Sequence, residues 1–103
     1  MSSHQKIDEY IVVYSSNAIP PRILLKGAGK IIGHLVFKPN GKTLPPNSKS
    51  GGVMTLYYHL DDFQNAIDLL RNEKPLYLLG SSNSAYGWGI QTVTEEIGEE
   101  EKV

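Results

Sequence analysis

Residues Arg22-Ile-Leu-Leu-Lys-Gly-Ala-Gly-Lys-Ile-Ile-Gly-His-Leu-Val-Phe-Lys38 read as two apolar strands on either side of a glycine-rich turn, and this hairpin organises the rest of the chain. With Gly27-Ala28-Gly29 as a three-residue loop, Lys26 pairs with Lys30, Leu25 with Ile31, Leu24 with Ile32, Ile23 with Gly33 and Arg22 with His34. Side chains alternate along a strand. One face then carries Ile23, Leu25, Ile31, Gly33, Leu35 and Phe37 as a core. The other carries Arg22, Lys26, Lys30, His34 and Lys38, with Leu24, Ile32 and Val36 between them.

Outward from the hairpin, apolar and β-branched runs bounded by turn formers mark further strands at Tyr10 to Ser15, Val53 to His59, Leu76 to Gly80 and Tyr86 to Thr94. Together with Arg22 to Leu25 and Lys30 to Phe37, six strands are expected. Between the fourth and fifth, Phe63, Ala66, Ile67 and Leu70 recur at helical spacing, with Leu69 at the edge of the stripe. Asp61 is placed to cap that helix, with Gln64 completing an Asp-x-x-Gln capping box, and Pro75 ends it by Lys74.

The order β-β-β-β-α-β-β predicts a mainly β (α+β) fold, a small antiparallel β-barrel of five to six strands with one short helix before the last two. The alternative is an open antiparallel sheet packed on that helix. The barrel is preferred because Ile31 to Phe37 is apolar at nearly every position, which suits a strand covered on both faces. By element count the nearest architectures are the Sm-like or SH3-like barrel and the OB-fold, a likeness of shape without functional warrant.

A single domain is expected over residues 1–94, with a flexible N-terminus at 1–9, a mobile loop at 39–52 and an acidic tail at 95–103. A chain of 103 residues buries about two thirds of the surface its unfolded form exposes. It contains no cysteine, so disulfides, thiol nucleophiles and cysteine-ligated metals are excluded. The opening residues lead into no apolar stretch of signal length, and no apolar run reaches the length of a membrane span, so a cytoplasmic location without membrane contact is expected.

Charge is segregated beneath a net value of -1. From Tyr10 to Leu60 there is no Asp or Glu, and that stretch holds Arg22, Lys26, Lys30, Lys38, Lys42 and Lys49. From Asp61 onward acidic residues dominate. A Lys26 and Lys30 pair facing one another in a ladder is mildly destabilising, and a bound anion, assisted by N–H groups at the glycine-rich tip, would relieve it.

The expected function is a non-catalytic module that binds a polyanion, single-stranded RNA or DNA, through Arg22, Lys26, Lys30, His34, Lys38, Lys42 and Lys49. Trp88 and Tyr58 are the candidates for stacking bases, and Tyr57 or His34 could share that side. Trp88 could equally fill the core over its flanking glycines. The alternative function is a homo-oligomer assembled through the complementary basic and acidic halves, with no nucleic-acid ligand.

No catalytic set is expected. Lys26-Gly-Ala-Gly-Lys30 lacks the spacing of a P-loop, and Gly80-Ser81-Ser82-Asn83-Ser84 is not a nucleophile elbow. His59-Leu-Asp61-Asp62 could be drawn as half of a metal site, but Asp61 is accounted for as a cap, so neither metal nor cofactor is expected.

Overall fold

A computed structural model describes residues 4–16, 20–80 and 87–92. In chain order the elements are β1 (His4–Ile7), β2 (Glu9–Val13), β3 (Arg22–Gly27), β4 (Lys30–Lys38), β5 (Ser48–Ser50), β6 (Val53–His59), a 3-10 turn (Leu60–Asp62), α1 (Phe63–Asn72), β7 (Leu76–Gly80) and β8 (Trp88–Thr92). They make a five-stranded sheet in the order β2-β3-β4-β6-β5 and a three-stranded sheet in the order β1-β7-β8. The fold is mainly β with one short helix before the last two strands.

Among the described residues no closed barrel forms. The strand that opens the chain bends at Asp8, so that β1 pairs with β7 in one sheet and β2 with β3 in the other. Its two halves serve different sheets, which gives two layers. Two strands exceed the expected set: β1, within the 1–9 segment, and β5, a short edge within 39–52. The pairing of β4 with β6 is parallel, whereas the element order suggests antiparallel neighbours. Parallel strands need a crossover of about a dozen residues or more, and residues 39–52 provide it. The expected tail at 95–103 and Tyr86 lie outside the described residues.

The core lies between the layers. Ile23, Leu25, Leu35, Phe37, Met54 and Leu56 of the five-stranded sheet meet Leu78 of the other. Each such side chain contributes about 1.5–3 kcal/mol through its removal from water. The helix lays Phe63, Ala66, Ile67 and Leu70 on this core, and Phe63 meets Phe37 edge-on with ring centroids 4.9 Å apart. That stripe forms as its spacing predicts.

The expected capping box does not form. Asp62 occupies the N-cap without a side-chain bond, while Asp61 accepts from Asn40 Nδ2 and Gln64 donates to Asp68. The preceding 3-10 turn displaces the helix start by one residue and gives the Asp61 carboxylate a partner in the 39–52 connection.

The hairpin turn is shorter than its glycines suggest. Gly27 faces Lys30, so the turn is the two-residue Ala28-Gly29. Both residues have positive φ, 54° and 81°, the mark of a type I′ turn. The register then shifts between Leu25 and Lys26: Lys26 faces Ile31, Leu25 faces Gly33, and Ile32 is the extra residue of a bulge. A Cβ on Gly27 would lie 3.0 Å from Ile32 Cδ1, so the bare glycine makes room for Ile32 to turn inward, where it is buried. Ile31 and Ile32 therefore exchange the faces expected of them.

Candidate nucleic-acid interface

The outer face of the five-stranded sheet, turned away from α1 and the second sheet, is built by alternation from β3, β4 and β6. Arg22 faces Val36, Leu24 faces His34 and Lys26 faces Ile31 across β3 and β4. His34, Val36 and Lys38 in turn face Thr55, Tyr57 and His59 of β6. Arg22, Lys26, His34 and Lys38 thus share one surface, as their sequence pattern predicts. Lys38 Nζ lies 5.9 Å from the centroid of the Tyr57 ring, within cation–π range.

Lys30 does not share that surface. The bulge puts it opposite Gly27 on the inner side of the hairpin tip, beside a hollow that Gln5, Lys6, Asp8 and Ile32 also line. Lys49 faces Met54 in the ladder, so alternation directs it inward at the β5 edge. Lys42 is exposed in the 39–52 connection, where its carbonyl accepts from His59 Nε2–H at 2.7 Å.

The hairpin tip is not an open anion nest. Asp8 Oδ2 accepts the Ala28 N–H at 2.8 Å, so the chain's own carboxylate occupies the donor that an external anion would need. Lys26 also has a partner, Glu9, at 3.8 Å. That pair is too exposed to contribute much stability, but it lowers the local positive field.

Both expected stacking residues point the other way. Trp88 faces Gly80 and packs against the core between the sheets. Tyr58 faces Phe37, with ring centroids 5.7 Å apart and planes 22° from parallel. Burial, and then the Asp62 charge, push the Tyr58 hydroxyl above the ordinary tyrosine value. Tyr57, one residue earlier, is the half-buried ring that faces outward.

His34 sits among neighbours that oppose its charge. Burial first, and the Arg22 guanidinium second, hold its imidazole below the usual value of 6.5. It is therefore mainly neutral at pH 7, and the permanent cations of the surface are Arg22, Lys26 and Lys38.

The drawn metal half-site is engaged otherwise. His59 donates to the Lys42 carbonyl, and Asp61 accepts from Asn40 and is tied to it again through its own N–H. Among the described residues no cluster of three His, Asp or Glu residues is placed to hold a metal ion, and no helix is long and apolar enough to cross a membrane.

No protein-family model matches the chain, and neither the curated proteins nor the solved structures yield a match.

Proposed function

We propose that the outer face of the five-stranded sheet binds a polyanion, single-stranded RNA or DNA, without catalysing a reaction on it. One observation carries this reading: the half-buried Tyr57 ring stands on the outer sheet face next to Lys38, with Arg22 one strand beyond the intervening Val36. Adjacent strands lie about 4.8 Å apart, so Arg22 and Tyr57 are separated by about 10 Å at the backbone. A ring with two cations on one side of it suits a base stacked on the ring with its phosphates running toward Lys38 and Arg22. The described carboxylate of this face, Glu9, lies at its far end beside Lys26. With a pI near 6.3, binding is local to this patch and salt-sensitive.

The test is fluorescence anisotropy of labelled single-stranded oligomers at about 50 and 200 mM salt, the range over which phosphate contacts weaken steeply. Binding that falls with salt, and is lost in Lys38→Glu and weakened in Tyr57→Leu, supports the proposal. Absence of binding at the lower salt, or equal loss in Lys30→Glu, sinks it.

A second reading, head-to-tail assembly of basic and acidic halves, draws on Asp61 and Asp62 at the start of α1 and Asp68 within it, all exposed. It requires a multimer whose mass falls as salt rises.

A further inference from the structure

The two edges of the five-stranded sheet differ in kind. β5 is three residues long, reads Ser48-Lys49-Ser50 and is exposed throughout, which are the usual defences of a sheet edge against further pairing. β2, the other edge, is longer and bears a single charge, Glu9, at one end. It reads Glu9-Tyr-Ile-Val-Val13 and pairs with β3 without a bulge, and the sequence from Tyr10 to Pro21 holds no charged residue. Ile11 is 45% exposed, Val12 40% and Tyr14 72%, so apolar surface is open on both faces of this edge.

We propose that β2 pairs antiparallel with β2 of a second copy of this chain, about a two-fold axis through Ile11. A homodimer of this kind is isologous, so each contact must be self-complementary. In this register Ile11 meets Ile11, Tyr10 meets Val12, and Glu9 meets Val13 of the second copy. Because Val13 faces Arg22 in its own ladder, Glu9 falls into one cross-strand row with Lys26 on its own side and Arg22 of the second copy on the other. The backbones of Glu9 and that Arg22 are two strand spacings apart, about 10 Å, a gap that a glutamate and an arginine side chain span together. An exposed carboxylate at one end of β2 thereby meets a cation at both hands, twice by symmetry. An in-register parallel alignment would instead set Glu9 against Glu9.

A strand of five residues is a small contact beside the roughly 1,200–2,000 Å² of a stable interface. The dimer is therefore reversible and concentration-dependent. It would join two five-stranded sheets into one and set their outer faces side by side, but it stands whether or not those faces bind nucleic acid.

Sedimentation velocity of the full chain across a concentration series, without nucleic acid, tests this. The expected result is a monomer–dimer equilibrium that Ile11→Lys and Glu9→Arg each weaken by about tenfold or more, a penalty of about 1.4 kcal/mol being tenfold. The exchange Glu9→Arg with Arg22→Glu should restore it, because these two residues lie at opposite ends of their own ladder and meet only across the two-fold axis. Amide exchange along β2 should slow as the dimer forms. The rescue keeps the test decisive if Ile11→Lys fails to fold. A monomer at the highest soluble concentration overturns the proposal, as does a dimer indifferent to these changes or one that the charge exchange does not restore. So does a chain that stays monomeric and accepts a foreign peptide on β2.

Discussion

Gly80 of β7 lies directly against the sulfur of Met54 on β6, so that a Cβ at residue 80 would overlap the thioether. Its counterpart is one ladder step away: Gly33, which faces Met54 across the β4–β6 pair, receives Leu78, whose Cδ2 would be 2.7 Å from a Cβ placed there. Each sheet presents a glycine to a large side chain of the other, which brings the two layers close with little void.

Gly80→Ala and Gly33→Ala are therefore expected to destabilise the fold by about 1–3 kcal/mol each through overpacking. Urea unfolding curves measure this. The loss in Gly33→Ala should shrink when Leu78 is shortened to Val, because the two changes share one contact. Wild-type stability in both alanine variants would mean that the layers are further apart than described.

Ala28 is an alanine at φ 54°, in a turn that favours Asn or Gly at this position. Ala28→Asn should stabilise the protein by about 0.5–1 kcal/mol by relieving left-handed strain. Asp8→Ala should act in the opposite direction by about 1 kcal/mol, because it removes the acceptor of the Ala28 N–H. Thermal melts of the two variants should move apart. A stabilising effect of both would show that the three-residue loop forms instead.

The depressed His34 pKa carries a pH dependence of definite sign. An unfolded chain protonates this imidazole near pH 6.5 and the folded chain only at lower pH, so the unfolded state binds more protons in between. Stability from this group is full above pH 6.5 and declines as pH falls from there toward the folded pKa. His34→Gln should flatten that part of the stability profile. NMR titration should place the wild-type His34 pKa below 6.5, and Arg22→Gln should move it upward. A value above 6.5 in the wild type would refute the crowding of His34 by burial and Arg22.

Variants of the basic residues separate the observed register from the expected one. Lys38→Glu and Lys30→Glu change net charge equally, yet only Lys38 stands on the face with Tyr57. Oligomer affinity should drop at least about tenfold more for the first than for the second, a difference of about 1.4 kcal/mol. Similar losses would indicate a response to net charge alone.

Several features were legible because they rest on local periodicity. The stripe of Phe63, Ala66, Ile67 and Leu70 places a helix wherever the core lies. The strands at Val53–His59 and Leu76–Gly80 follow from apolar runs between turn formers. Arg22, Lys26, His34 and Lys38 share a face because the spacing within each strand survives the change of register.

The remaining features were decided by contacts between residues distant in the chain. Ile32 turns inward because Gly27 leaves space under it, and that one extra residue sends Lys30 to the opposite side. Of two adjacent tyrosines, the parallel pairing with β4 sets Tyr58 on Phe37 and leaves Tyr57 outside. Composition and spacing determined which segments become strands and helix, because propensity and amphipathic period are properties of a short window of chain. Which face each cation and ring occupies was left to the tertiary structure, because alternation has a period of two and a single bulge or pairing partner, chosen by packing, reverses it.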